Sequence, residues 1–410
     1  MSRLLPSLRG TSRTVVFGVV LTILAIGGTF LLDPYRNFQL ATIAAYFCAV
    51  AGLTILVGLS GQLSLGHAAL MAAGGYGYAL TVDALTAAGI DGVPRFLISL
   101  AAAILTAGAL GLLLGLAAAR LRGPYLAGVT LALVIALPAV TAVFSGVLGG
   151  DQGVQIPFDG VPPFLRTIIA VEQWQAWVAI LVAGVVVTAL AVLRRGRLGL
   201  HLRAVRDDET AAKLNGVRAG RVKVTAFTLS SIAAGTGGAV LCFATQSVSP
   251  GAYTLAFSLL LVVAVVVGGL GSIGGAAIGS ALIVLLPWLI TTTTSSLELP
   301  AEVAQRLAGN VSVLVFGLLL ILVTLVWPGG LASTRVRRRR RGADPAPPSP
   351  TASGVSPASP GSPASASSAS APADAPTGNP PLRTAPAAAS EPAAPRHPVS
   401  TLSATPTTER

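Results

Sequence analysis

"RRGRLGLHLRAVRDDETAAKLNGVRAGRVKVTAFTLSSIAAGTGGAVLCFAT", residues 194–245, divides into two parts of opposite character. Residues 194–223 hold nine of the chain's 27 lysines and arginines, whereas 224–245 hold no charge at all. An uncharged run of that length matches the roughly 20 residues an α-helix needs to cross a bilayer core. The basic part marks the face from which the span departs, because lysine and arginine collect in cytoplasmic loops.

The same alternation recurs in both directions. Apolar runs lie at about 14–32, 38–58, 66–88, 96–119, 124–146, 174–193, 253–270, 273–290 and 311–327, making ten with 224–245. Only 10% of the 410 residues are charged and 53% are hydrophobic, with a mean hydropathy of +0.77. Soluble domains carry about 25% charged residues, so composition points to an all-α polytopic membrane protein of about ten transmembrane helices. The first run follows Arg3, Arg9 and Arg13 but is too long for a signal-peptide core and lacks a small-residue cleavage site after it, so an uncleaved helix is expected.

Ten spans place both termini on one side. If that side is the cytoplasm, the inner segments hold Arg3, Arg9 and Arg13, then Arg120 and Arg122, the nine basic residues of 194–223, and finally Arg335 and Arg337 to Arg341. The outer loops hold only Arg36, Arg95, Arg166 and Arg306. This asymmetry sets the orientation, with both termini cytoplasmic in the plasma (cytoplasmic) membrane. It also accounts for the net charge of +12 without nucleic acid, since no soluble basic domain is present to bind it. The expected organisation is a cytoplasmic segment 1–13, a transmembrane domain 14–331 and a tail 332–410. The tail is basic at first and then built of Pro, Ala and Ser, a composition that cannot offset the entropy of folding and is expected to be disordered.

Chemistry-bearing motifs are scarce. Gly269, Gly271 and Gly274 match G-x-G-x-x-G, but apolar runs flank them where a dinucleotide site needs a strand before and an acidic residue after. A tight turn between two spans explains them better. Lys213 and Lys223, the only lysines, lack P-loop context, and three histidines offer little for a zinc site. Cys48 and Cys242 sit in apolar runs and read as packing residues. No enzyme chemistry, cofactor or metal is expected on this chain.

Ion-coupled carriers need ionisable groups at membrane depth. Within the spans as drawn only Asp83 and His67 qualify, and both sit at span ends. Small residues abound instead, with Gly111 and Gly115, Ala234 and Gly238, and Gly275 and Gly279 each four apart, a spacing for close helix packing. Pro138, Pro287 and the glycine-dense "GQLSLGHAALMAAGGYGYAL" (61–80) mark places to kink or break a helix. Gly61, Gln62, Ser64, Gly66, His67, Gly74 and Gly75 are therefore candidates for a broken helix lining a pathway.

Within the charged island, Asp207 suits a helix N-cap, Asp208 and Glu209 favour the first turn, and Gly216 suits the stop. Ala211, Ala212 and Leu214 supply a modest apolar face. A helix of two turns is too short to stand alone. From spacing alone, a docking element and a solvated loop helix are equally good readings.

Five stretches bear on that choice: "GLSGQLSLGHAAL" (58–70), "RLRGPYLAGVTLAL" (120–133), "LRAVRDDETAAKLNGVRAGRVKVTAFTLSSIAAGTGGAV" (202–240), "VSPGAYTLAFSLLLVVAVVVGGLGSIGGAAIGSAL" (248–282) and "GLLLILVTLVWPGGL" (317–331). In order and spacing they resemble the LivM-type permease subunits of ABC transporters, the branched-chain amino acid importer family. The resemblance implies that 194–223 is a coupling loop fitting a cleft in a separate ATPase, through Arg203, Arg206, Asp207, Asp208, Glu209, Ala211, Ala212 and Gly216. The wider family has E-A-A and, after three more residues, Gly. Thr210, Ala211, Ala212 and Gly216 hold those places here, with Thr in place of Glu and Glu209 one residue earlier.

The loop "VLGGDQGVQIPFDGVPPF" (147–164) resembles the family's T-G-G-x-x-G-I segment, with Leu148 at the Thr position. The partners implied are a second permease subunit, two ATP-binding subunits carrying ATP and Mg, and an extracytoplasmic solute-binding protein. The cargo implied is a branched-chain amino acid, with other amino acids, urea or short amides carried by related systems. An autonomous secondary transporter or facilitator, or a membrane scaffold, are the alternatives from other classes.

Overall fold

The structure is a computed structural model describing residues 8–121, 124–157, 160–162, 165, 167–295, 317–318, 321–322 and 325. The expected tenth span and the tail from 332 lie outside the described residues, save for those five helical positions between 317 and 325.

Among the described residues up to 295 twelve α-helices follow one another: α1 (Leu8–Gly28), α2 (Pro34–Ser60), α3 (His67–Ala87), α4 (Val93–Arg120), α5 (Pro124–Val143), α6 (Ser145–Leu148), α7 (Val171–Arg195), α8 (Arg197–Asp207), α9 (Glu209–Leu214), α10 (Ala219–Thr245), α11 (Leu255–Gly268) and α12 (Ile273–Ser295). The pair β1 (Val154–Gln155) and β2 (Ser247–Val248) runs antiparallel, Val154 opposite Val248. An all-helical bundle is what a bilayer demands, because each helix satisfies its own backbone hydrogen bonds. Eight of the described helices are long and apolar enough to cross a membrane. The ninth long helix, α3, has 21 residues but is diluted by Gly, Tyr, His67 and Asp83.

Local chemistry sets the helix ends. Pro34 opens α2 and Pro94 opens α4, where the missing N–H costs nothing. Glu172 lies in the first turn of α7 and Arg194 and Arg195 in its last, each favoured by the helix dipole. Thr254 caps α11 by accepting from the Phe257 N–H at 3.2 Å. With 14 residues, α11 is only about 21 Å long, short of a bilayer core of about 30 Å. A 3₁₀ turn at Pro250–Ala252 completes that crossing.

The bundle is organised around α10. Its face, "SSIAAGTGGA", is almost all small residues, and α2, α3 and α4 pack on it. A side chain at Gly235 would strike Ala107 of α4, one at Gly74 would strike the Gly235 backbone, and one at Gly238 would strike the Met71 carbonyl. Gly111 and Gly115 of α4 lie against Ser231 and Val224, while Gly275 and Gly279 of α12 lie against Gly268 and Ala264 of α11. The small-residue pairs expected from the sequence thus sit at helix crossings. Cys48 and Cys242 are both buried and unbonded.

All the expected inner segments that are described gather at one end, the basic end. There the α2–α3 connector, the α4 C-terminus, α8, α9 and the α11–α12 turn at 269–272 come together. That turn accounts for Gly269 and Gly271, both at positive φ.

Candidate functional site

The basic end holds two features, the α8–α9 hairpin and the α2–α3 connector. What reads in sequence as one loop, 194–223, is the last turn of α7, two short helices and the first turn of α10. The N-cap of α9 is Asp208, not Asp207. Asp207 closes α8, while Asp208 is extended (φ −155°, ψ 110°) and its carboxylate accepts from the N–H groups of Thr210 (2.8 Å) and Ala211 (3.0 Å). The shift by one residue follows from α8, whose helical run carries through Asp207 and leaves the next acid to start the new helix.

Glu209 ties the hairpin to the bundle. It accepts from Lys213 at 2.9 Å within α9 and from Lys223 at 2.7 Å on α10. The bonds from Lys223 and then Lys213 hold its carboxyl down at about 2, below the ordinary value near 4.3. Ala212 is buried beneath α9, whereas Thr210, Ala211, Leu214 and Asn215 face outward, Leu214 with 85% of its surface exposed. The apolar face expected from Ala211, Ala212 and Leu214 is therefore split, one residue inward and two outward. Gly216 has φ +80° with open space around it, and the Val217 N–H returns to the Ala212 carbonyl to end the helix.

Arg206 joins the two features. Its guanidinium donates to the Gly58 carbonyl in the last turn of α2 at 2.6 Å and to Asp207 at 3.0 and 3.1 Å. Its aliphatic stem covers Gly61, where a Cβ would come within 2.8 Å of it. Gly61 is the left-handed C-cap of α2 (φ 69°), a conformation that costs any other residue about 1 kcal/mol or more.

From Gly61 to Gly66 the chain is neither helix nor strand and bends at Leu65. The break expected somewhere in 61–80 lies at 61–66, between two complete helices at the basic end, and Gly74 and Gly75 belong to an unbroken α3 that packs on α10. Side chains from three helices fasten the connector. Thr130 of α5 accepts from the Leu65 N–H at 3.0 Å, Ser258 of α11 donates to the Leu65 carbonyl and accepts from the Ala68 N–H, and Ser230 of α10 lies 3.4 Å from the His67 imidazole. Ser64 Oγ and Gln62 Oε1 are buried without a hydrogen-bond partner among the described residues. Asp83, by contrast, is exposed on α3.

Of the sequence candidates, Arg206, Gly61 and the α9 residues come together, while Arg203 lies farther back, close to Arg194 of α7. Sequence reading passed over Thr130, Ser230, Ser258 and Lys223. For the three hydroxyls a polar residue in an apolar span is the available signal, but their partners lie 65 to 193 residues away and only folding reveals them, and Lys223 meets Glu209 from 14 residues away across the hairpin.

At the opposite end, Gly149, Gly150 and Gly153 all have positive φ and lead into β1, which pairs with β2 after α10. Among the described residues no three His, Cys, Asp or Glu side chains gather into a metal-binding group.

The family model described as "Branched-chain amino acid transport system / permease component" matches residues 35–324. The high-affinity branched-chain amino acid transport system permease protein LivM of Escherichia coli is 30% identical over 351 residues, 80% of this chain and 77% of that protein. Its Salmonella typhimurium counterpart is 29% identical over the same shares. A fructose import permease protein, FrcC of Rhizobium meliloti, is 38% identical over 103 residues, 24% of this chain and 28% of that one. No solved structure matches the chain.

Proposed function

Because this chain belongs to the family of branched-chain amino acid transport permease components, we propose that α8 and α9 form its ATPase-coupling element and the α2–α3 connector the part of the bundle they move. The chain is a multi-pass permease subunit of an ABC importer in the inner membrane, a transport subunit and not itself an enzyme. Alternatives outside the importer class fall with that membership. Partner subunits follow from the class, and we assign them as a second permease, two ATP-binding subunits that hold ATP and Mg, and an extracytoplasmic solute-binding protein. The cargo in this reading is a branched-chain amino acid, the solute named for both LivM relatives.

One observation carries the coupling assignment, the hydrogen bond from Arg206 to the Gly58 carbonyl beside Gly61. The outward residues of α9 offer an ATPase cleft a surface of Thr210, Ala211, Leu214 and Gly216 without rearranging the bundle. Force on α9 passes through α8 to Arg206, from there to the end of α2, and on to a connector fastened to α5, α10 and α11. Alternating access then requires only that ATP binding favour one arrangement of these elements over the other.

Arg206→Ala tests the path. The ATPase subunits copurify with the variant as with the parent, while uptake of radiolabelled leucine falls about tenfold or more, as expected for losing a charge-assisted bond of about 1.5–3 kcal/mol. Unchanged uptake overturns the assignment.

A further inference from the structure

Between α1, α2, α7 and α12 lies a crevice of about 400 Å³ whose walls include Phe17, Leu21, Phe47, Ile180, Val187 and Ala277. It extends along α1 from Thr14 to Ala25, twelve residues or about 16 Å of helix, close to the thickness of one bilayer leaflet's hydrocarbon. Phe17 and Leu21 on its rim are 69% and 56% exposed, so the crevice faces the bilayer. Apart from Thr22 and Thr188 the walls are apolar until the basic end, where Thr14, Arg194 and Arg195 close the crevice.

Among the described residues those arginines have no counterion. Arg195 donates to Thr14 Oγ1, and Arg203 stands near Arg194 as a third like charge. Among the described residues no acidic side chain forms an ion pair with any of the three. Gathering cations at the head of a hydrocarbon-lined slot is unfavourable unless an anion joins them. Anionic phospholipid supplies both parts, a phosphate for the guanidinium forks and a chain for the slot.

We propose that this crevice is a binding site for an anionic phospholipid of the cytoplasmic leaflet, with the phosphate held by Arg194 and Arg195 and one acyl chain lying along α1 and α7. The occupant holds α1 to the bundle and neutralises the arginines behind the coupling hairpin.

The test uses the full-length chain with its copurifying subunits in nanodiscs of phosphatidylcholine alone and of an equimolar phosphatidylcholine–phosphatidylglycerol mixture. Bound lipid is then counted by native mass spectrometry after release. Phosphatidylglycerol is retained preferentially by the parent. Arg194→Gln/Arg195→Gln weakens retention roughly tenfold or more, at about 1 kcal/mol for each arginine near the surface. Ala277→Phe, which fills the slot and leaves the charge, also weakens it. Arg194→Lys/Arg195→Lys preserves most of it. The exposed pair Arg120→Gln/Arg221→Gln, which removes the same charge elsewhere on the basic end, leaves retention intact. The proposal is overturned by equal retention of phosphatidylcholine, by equal loss in the Arg120/Arg221 control, by retention unaffected in the Gln pair or in Ala277→Phe, or by displacement with inorganic phosphate alone.

Discussion

Helices α9 and α10 are neighbours in the chain and are built on opposite rules. The middle of α10 is enclosed on nearly every side, and its small residues let three other helices approach to backbone contact. α9 buries one residue, Ala212, and is held by an N-cap carboxylate and the two lysines on Glu209. The first arrangement gives the bundle its stability, since tight packing is the main attraction available between helices in lipid. The second keeps a surface presented in water. Substitutions in α10 therefore act on folding, and substitutions in α9 act on the exposed surface we propose as the ATPase contact.

The sharpest way to break the comparison is Gly238→Leu. A side chain there meets the Met71 carbonyl, and overpacking of a close crossing costs about 1–3 kcal/mol or more. Size-exclusion profiles of the detergent-extracted protein should show loss of the monodisperse peak, and a normal peak with a normal melting temperature would deny that α10 governs stability. Gly216→Arg comes next and has the reverse profile. The residue has room but sits at φ +80°, so strain of about 1 kcal/mol stays within the hairpin. Membrane insertion and melting temperature remain as in the parent while leucine uptake and ATPase copurification are lost; normal uptake would sink the coupling role.

Removing the α9 cap by Asp208→Ala costs about 1 kcal/mol, all of it local. It should weaken ATPase copurification several-fold without moving the melting temperature. The smallest effect concerns pH. Glu209 has its folded pKa depressed to about 2, so its contribution is fully present above its unfolded value near 4.3 and is lost as pH falls from there through about 2. Hydrogen exchange in 209–216, taken relative to the intrinsic amide rate at each pH, should stay flat from neutral pH to about 5 and rise below about 4. In Glu209→Gln that acid-induced rise should vanish, and its persistence would assign the titration to another group.

Much of this was legible before folding. Nine of the expected spans coincide with helices, because hydrophobic length in a bilayer needs no tertiary information. Gly216 read as a helix stop and occupies that place, since a glycine after a polar turn signals a left-handed residue locally. The cap was misplaced by one because Asp207 and Asp208 offer the same chemistry, and the choice between them rests on how far α8 extends. Gly74 and Gly75 were grouped with a break that lies eight or more residues earlier. A glycine that loosens a helix and one that lets two helices meet look alike in sequence, and Gly75, beside Tyr253 and Gly238, is of the second kind.

By itself, then, the sequence determined the medium, the spans, the crowding of basic residues at one end and the exposed charged island, because each follows from transfer of side chains between water and hydrocarbon or from local backbone chemistry. Only the tertiary structure decided that Arg206 reaches Gly58, that Ser258 and Thr130 fasten Leu65, and that Arg194 and Arg195 stand over an apolar crevice. Those contacts join residues 65 to 193 positions apart, or four helices at once. No local rule specifies which helix faces which in a medium where every apolar surface is equally soluble.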